Sequence, residues 1–318
     1  MNIIFGPVNS RRFGTSLGID LSATHKQCNF DCLYCELAPA PTVTRQDHSL
    51  PVSQIMEALS TALKEHESID VITLTANGEP TLYPYLDTLI DAIDAVKGTK
   101  QTLILTNSAT LTDASIFQTL LKCDCVKLSL DALSSSVFEK IDRPHQSIDI
   151  LHVKDAVIEF SHCYTGKLYI EILFVHTLND TPEEIALLNE TLLHVNCERI
   201  DIGTVDRPPA YPVSGISYQE LHHIARQFDA SLPIHIASRH HAQTCRSHYS
   251  SEEILNTLDK RPLTHDDVAL LFDTASQERL QQLIQSRQIT EITRAGLRFL
   301  VPSKNLGRKR QNILTKPK

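Results

Sequence analysis

Residues 28–36 read Cys-Asn-Phe-Asp-Cys-Leu-Tyr-Cys-Glu, so three of the eight cysteines, Cys28, Cys32 and Cys35, fall within eight residues in the pattern C-x3-C-x2-C. One loop can therefore point three thiolates at a single centre. Three soft ligands with no fourth nearby in sequence suit a 4Fe-4S cube, in which one iron stays open, better than a closed four-ligand zinc site. The open iron is where chemistry can occur. On spacing alone, a three-cysteine zinc loop or a reactive dithiol is the alternative.

A second group follows about forty residues later, Asn77-Gly78-Glu79-Pro80. Gly78 lets the backbone approach a ligand closely, and Glu79 offers an acceptor for an ammonium group. Alone, it would read as a Gly-Pro turn that ends a strand. Further polar residues, Asn107, Ser129, Asp131 and Asn179, lie where later apolar runs stop. Such residues are also the usual turn formers.

The elements that must position these groups alternate. Apolar runs over 17–21, 69–76, 102–106, 126–130, 168–175 and 199–204 read as strands, and helical patterns over 51–63, 85–96, 113–121, 150–160 and 182–194 lie between them. Each parallel return needs a covering helix, so the expected class is α/β, a partial (β/α)6 barrel. A complete eight-stranded barrel is the runner-up, because 234–237 can add a strand. In either case the functional loops belong at the C-terminal strand ends. From 261 the pattern changes to helix, helix and a hairpin around Gly296, a small winged-helix-like module. Thr264 is the expected N-cap of its first helix. The expected division is a core barrel over 1–240, a connector over 241–260, the module over 261–303 and a basic tail over 304–318. The tail holds six Lys or Arg and no acid, a composition that predicts disorder.

With Tyr34 just before the last cysteine, the loop resembles the cluster motif of the radical S-adenosylmethionine (SAM) enzymes. The resemblance implies that Cys28, Cys32 and Cys35 hold a 4Fe-4S cluster and that SAM chelates the open iron. An electron then splits SAM, and a 5′-deoxyadenosyl radical takes a hydrogen atom from the substrate. The segment Gly78, Glu79 and Pro80 resembles the family's Gly-Gly-Glu-Pro turn for the SAM amino group, with Asn77 in place of the first glycine. Residues 106–108 stand where the family often has Thr-Asn-Gly. By the same resemblance Asn107, Ser129, Asp131 and Asn179 are expected to meet SAM, and Tyr34 to lie beside its adenine. An electron donor such as flavodoxin or ferredoxin is implied.

The likeness narrows over residues 5 to 240. The segment 7–12, the cluster loop, the Gly-Glu-Pro turn and 205–210 together look like Fe-S oxidoreductases related to the tRNA wyosine-forming enzymes. Those enzymes hold a second cluster on three cysteines upstream of the motif; here no cysteine precedes Cys28, which speaks against that chemistry. Arg11, Arg12 and Arg207 would lie near the active mouth, where guanidinium groups suit a phosphate or carboxylate of the substrate. Solvated loop arginines are the alternative.

The remaining residues bound the class. With 42% hydrophobic and 21% charged residues the chain is an ordinary globular protein. No run of about 18 apolar residues and no signal-peptide layout is present, so no membrane association and a cytoplasmic location are expected. In a reducing compartment Cys123, Cys125, Cys163 and Cys197 read as buried small hydrophobes. His240, His241, Cys245 and His248 have spacing that could hold a further metal, but with 15 histidines in the chain clustering by chance is the favoured reading. The net charge of −8 excludes a surface basic all round but not a local patch. The expected function is a radical SAM enzyme of oxidoreductase or transferase type acting in tRNA modification. The alternatives are the same chemistry on a peptide, or an Fe-S redox-sensing nucleic-acid-binding protein.

Overall fold

The computed structural model describes residues 3–10, 13–22, 25–66, 68–236, 248–260, 262–294 and 297–304. One eight-stranded sheet runs in the order β1 (Ile4–Ser10), β2 (Gly14–Asp20), β3 (Val71–Thr75), β4 (Gln101–Thr106), β5 (Cys125–Ser129), β6 (Lys167–Phe174), β7 (Arg199–Thr204) and β8 (Ile234–Ile236). All pairs are parallel except β1 with β2. Strand order equals chain order, as expected when each strand returns through one covering helix. Among the described residues β1 and β8 are the two edges, so the sheet stays open and the complete barrel is not formed. The six expected units span β2 to β7, and β8 adds a short seventh parallel strand.

β1 is absent from the sequence reading. Its segment, Ile-Phe-Gly-Pro-Val-Asn-Ser, is interrupted by Gly6 and Pro7, and the register with β2 shifts between Phe5 and Val8. Proline fits an edge strand at such an irregularity, where no ladder donor is required.

The covering helices bury one face each: α1 (Val52–Glu65) through Ile55, Leu59 and Ala62, α2 (Leu86–Asp94) through Leu89, Ile90 and Ile93, α5 (Ile150–Cys163) through Val153, Val157 and Phe160, and α6 (Pro182–Leu192) through Ile185, Leu188 and Leu192. Between α2 and α5 come α3 (Ala114–Leu120) and α4 (Ser135–Ile141), and α7 (Tyr218–Ala225) precedes β8. These faces pack on Ile19, Ile72, Leu74, Ile104, Val126, Ile170 and Ile200, all fully buried. A smaller cluster of Val71, Leu103, Cys125 and Tyr169, with Phe13, lies apart from this core.

A second core gathers Tyr249, Ile254, Leu258, Leu263, Phe272, Leu280, Leu283, Ile289 and Leu300. It joins α8 (Ser251–Lys260), α9 (His265–Leu271) and α10 (Thr274–Gln285) to the hairpin β9 (Ile289–Arg294) and β10 (Leu297–Pro302). Thr264 caps α9 in a reciprocal box with Asp267. The helix α8 falls in the stretch read as a connector. Residues 305–318 and Gly296 lie outside the described residues. No described helix is long and apolar enough to cross a membrane.

Cys123 and Cys125 are buried as expected, but Cys163 is exposed and Cys197 is half-buried. Cys163 is the last residue of α5, where the helix emerges from the layer it covers.

Candidate functional site

The C-terminal edge of the sheet collects the loops. β2 leads into the cysteine loop, β3 into the turn at 77–80, β4 into Asn107, β5 into Asp131, β6 into Asn179 and β7 into Arg207. The cysteine loop has almost no secondary structure of its own, so its backbone groups are paired by its surroundings. Asp31 N donates to Asp142 O (3.1 Å), Leu33 N to Ile141 O (2.8 Å), His145 N to Asn29 O (2.8 Å), Val43 N to Cys28 O (2.9 Å) and Ala210 N to Cys35 O (2.8 Å).

Gly78 explains how the loop docks. Gln27 pairs with it as a parallel bridge, and Gln27 N reaches Asn77 O at 3.0 Å while Glu79 N reaches Gln27 O at 3.0 Å. Gly78 has φ 138°, and a Cβ there would lie 2.0 Å from Gln27 O. The close approach foreseen from the glycine is thus made by the protein's own backbone, and it joins the cysteine loop to β3.

Cys28, Cys32 and Cys35 are free. Phe30 N donates to Cys28 Sγ at 3.4 Å, and Asn107 Nδ2 is 3.9 Å from the same sulfur. Burial pushes the Cys28 thiol up to about 12 and raises those of Cys32 and Cys35. Beside them burial alone would pull the Lys26 ammonium down, yet Cys35, Asp31 and Cys28 outweigh it and hold its pKa above the usual value. A soft metal centre that replaces the thiol protons fits this donor set, since it supplies the positive charge that buried thiolates lack.

The 77–80 turn is built around the Glu79 carboxylate, which is almost fully buried. Its Oε1 accepts from Thr81 N (3.1 Å), Thr81 Oγ1 (2.6 Å) and Thr106 Oγ1 (2.6 Å), and its Oε2 from Asn107 N (2.9 Å). Burial raises its pKa while these four bonds favour the charged form. Glu79 is also the N-cap of a single 3-10 turn, Pro80–Leu82, with Pro80 at its first position. The carboxylate thereby ties the end of β3 to the end of β4. From there Asn107 donates Nδ2 to Asn29 Oδ1 at 2.6 Å, between the first two cysteines. Ser108 follows with φ 72°, a left-handed position that accounts physically for a glycine at the corresponding place of the resembled motif.

Tyr34 turns its hydroxyl to Asp131 Oδ2, with Asp142 Oδ1 at 3.4 Å. Asp131 also accepts from Leu173 N (2.6 Å). Burial drives both carboxyls up, Asp131 to about 7 and Asp142 well above the ordinary range, the latter also by repulsion from Asp131. What Tyr34 leaves for a ligand is its ring face and backbone. Asn179 is fully buried and its amide is engaged by Asp131 O (2.8 Å), Leu173 O (2.9 Å) and Val175 N (2.8 Å), so it locks the ends of β5 and β6 together. Ser129, the last residue of β5, accepts from Ser108 Oγ through its carbonyl at 2.7 Å.

Arg207 reaches the site but is committed to Glu36 Oε1, next to Cys35. Glu36 Oε2 is buried without a protein partner, a vacant acceptor beside the cysteine loop that suits a hydroxyl or amine of a bound cofactor. Arg11 and Arg12 lie outside the described residues, as do His240, His241 and Cys245. His248 has Asp273 Oδ2 at 3.0 Å from Nδ1 and Arg279 Nη1 at 3.0 Å from Nε2, which leaves neither nitrogen open for a metal.

Several residues of the site carried no signal in the sequence. Asp31 gathers Lys26 Nζ (3.1 Å), Arg143 Nη2 (3.3 Å) and the Tyr211 hydroxyl (2.5 Å), and Arg143 lies 4.6 Å above the Tyr211 ring. An acid and a base five residues apart around a cysteine gave the one available hint.

The model of the family described as Radical SAM superfamily matches residues 23–188. The UPF0026 protein of Helicobacter pylori (strain J99 / ATCC 700824) is 38% identical over 291 residues, covering 91% of this chain and 94% of that one. A GTP 3′,8-cyclase of Chlorobaculum tepidum is 33% identical over 135 residues, 42% of this chain and 38% of that one. Among solved structures, a radical SAM methyltransferase from Sphaerobacter thermophilus shares the fold with a TM-score of 0.55 at 13% identity, over 70% of this chain and 66% of that one.

Proposed function

The chain belongs to the radical SAM superfamily, and from that premise we propose that this enzyme modifies a base of an RNA, a tRNA above all. The observation that carries the radical SAM chemistry of this reading is the convergence of three free thiols, the Glu79-centred turn and Asn107 at one edge of a parallel sheet. Cys28, Cys32 and Cys35 would hold the 4Fe-4S cluster. When bound, cluster and SAM supply the one-electron cleavage of the S–C5′ bond and a 5′-deoxyadenosyl radical that takes a hydrogen atom from the substrate.

The protein's part is placement. The 77–80 turn, kept in shape by the Glu79 carboxylate, and Asn107 form the wall on which the amino acid end of SAM would rest. The Tyr34 ring, fixed through Asp131, and Ser129 border the place for adenine and ribose. Glu36 Oε2 offers a hydrogen-bond acceptor beside Cys35, and Arg207 holds that carboxylate in place. Asn179 keeps the ends of β5 and β6 in register. Flavodoxin or ferredoxin is the proposed reductant.

Two features support a nucleic-acid substrate. The stretch 304–318 concentrates six cations in a chain of net charge −8, and a relative over part of the chain is named for acting on GTP, a purine nucleotide. The test is binding of total tRNA across a salt series, for the full chain and for a variant ending at Lys304. A cut at 260 is unsuitable, because α8 shares its core with α9 and α10. The full chain should show a log-log salt slope of about −0.7 per phosphate contacted on a single strand, and the shortened chain a shallower one. No binding at low salt removes the RNA reading.

A peptide substrate is the second reading. Residues 248–304 carry eight Asp or Glu against seven Lys or Arg, a balance that suits a peptide better than a phosphate backbone. Turnover that depends on the β9–β10 hairpin and not on residues 305–318 would select it.

A further inference from the structure

The stretch 205–213 that follows β7 contains Pro208, Pro209 and Pro212, so it has little conformational freedom to lose when it docks. Its base is closed by Ile216 N on Thr204 Oγ1 (2.7 Å) and by His176 N on Ser214 O (3.0 Å). Its tip meets the cysteine loop in three places. Arg207 pairs with Glu36, Ala210 N donates to Cys35 O (2.8 Å), and the Tyr211 hydroxyl donates to Asp31 Oδ2. The last of these falls on a carboxylate that immediately precedes Cys32.

Asp31 is held from several sides. Lys26 Nζ (3.1 Å) and Arg143 Nη2 (3.3 Å) reach its two oxygens, and Asp31 N donates to the carbonyls of Asp142 (3.1 Å) and Arg143 (3.3 Å). Arg143 has φ 48°, a left-handed conformation that a residue with a long side chain keeps only where its surroundings hold it there. Its carbonyl and its guanidinium both bind Asp31, and the guanidinium lies 4.6 Å from the centre of the Tyr211 ring. The Asp31 side chain is only 10% exposed, so solvent and salt screen its charge weakly. A negative charge one residue from a cluster ligand opposes the gain of an electron there, and each donor to the carboxylate offsets part of that opposition.

We propose that Tyr211 is a positioning residue of the radical SAM reaction: through its hydrogen bond to Asp31 it keeps the cluster held by Cys28, Cys32 and Cys35 at a potential high enough to accept an electron. The inference rests on the radical SAM reading. In the step, a one-electron reductant loses one electron and the cluster gains it; no bond forms or breaks, and Tyr211 keeps its proton. The Tyr211 ring meanwhile keeps the Arg143 guanidinium against the same carboxylate. The role asks for no contact of Tyr211 with SAM or substrate.

The experiment uses the full-length, anaerobically reconstituted enzyme as parent, as Tyr211→Phe, as Asp31→Asn and with both substitutions together. Tyr211→Phe keeps the ring against Arg143 and removes only the hydroxyl. Potentiometric titration, followed by the EPR signal of the reduced cluster, gives the midpoint of each form, and iron and sulfide content is measured alongside. The proposal expects Tyr211→Phe to keep its iron and to hold about threefold less reduced relative to oxidised cluster at a fixed poise, a midpoint lower by about 28 mV at about 59 mV per tenfold for one electron. Asp31→Asn should raise the midpoint, and in that background Tyr211→Phe should change little, because the charge it offsets is gone. An unshifted midpoint in Tyr211→Phe overturns the proposal, as does an equal drop with Asp31→Asn present or the loss of its cluster, each of which leaves Tyr211 a structural support only. A parent that takes up no iron-sulfur cluster overturns the radical SAM reading instead, so the two failures are distinguishable.

Discussion

Replacing Glu79 by glutamine separates two roles that the carboxylate can have, holder of the turn or direct partner of the SAM ammonium. Four hydrogen bonds converge on it, three at Oε1 and one at Oε2. In the variant the amide oxygen can keep the three from Thr81 and Thr106, but the amide nitrogen then faces the Asn107 N–H, donor against donor. The loss is one charge-assisted bond to a buried backbone group, about 1.5–3 kcal/mol. Glu79→Ala would strand both the Thr81 and Asn107 N–H groups, about 2–6 kcal/mol together, a large share of the roughly 5–15 kcal/mol that holds a domain folded. Urea unfolding of the cluster-free protein is the assay, with the midpoint lowered at unchanged slope. Because Asn107 also reaches Asn29 and Cys28, cluster loading should weaken as well. An unchanged midpoint with full cluster loading and only SAM affinity reduced would refute the holder role and assign the carboxylate to SAM itself.

Other expectations follow from particular contacts. At Ser108, φ 72° inverts the usual order of substitutions: Ser108→Gly should be more stable than Ser108→Ala by about 1 kcal/mol, measured by thermal unfolding, and the reverse order would show that no left-handed backbone is needed there. The Asp131 carboxyl, held at about 7 by burial, binds its proton more tightly folded than unfolded. Its contribution to stability is therefore full below the ordinary carboxylate range and is lost as pH rises through about 7. The cluster-free protein should lose stability over that window, and Asp131→Asn should flatten the profile; an unaltered profile contradicts the burial argument. Arg207→Ala leaves Glu36 without its ion-pair partner beside Cys35, so SAM affinity should change with cluster content kept, by equilibrium binding; loss of the cluster itself would make the pair a structural brace.

The legibility of the sequence followed the range of the interactions. The cysteine spacing and the Gly-Glu-Pro turn are local, and continuous apolar strands such as Val71–Thr75 carry their burial on both faces in their composition. The first strand escaped because Gly6 and Pro7 break its pattern, and its pairing with β2 restores what the local sequence denies. The third helix of the second core escaped because α8 precedes the change in composition near 261. Contacts across the chain were beyond reach of pattern: Tyr34 meets Asp131 across 97 residues, and Arg207 meets Glu36 across 171. Asp31 and Lys26, read alone, are two more charges on a polar loop; only folding shows that they pair within the cysteine loop and with Arg143.

The central claim is that Cys28, Cys32 and Cys35 hold a cluster with an iron open to SAM, on a wall built by Glu79 and Asn107. Its most direct measurement is the yield of 5′-deoxyadenosine and methionine after anaerobic reconstitution, reduction with dithionite and addition of SAM, alongside the Cys32→Ala variant. About four iron and four sulfide per chain, with 5′-deoxyadenosine formed by the parent and not by the variant, is the predicted result. A parent protein that carries that full complement of iron and sulfide, is demonstrably reduced, and still forms no 5′-deoxyadenosine would contradict it.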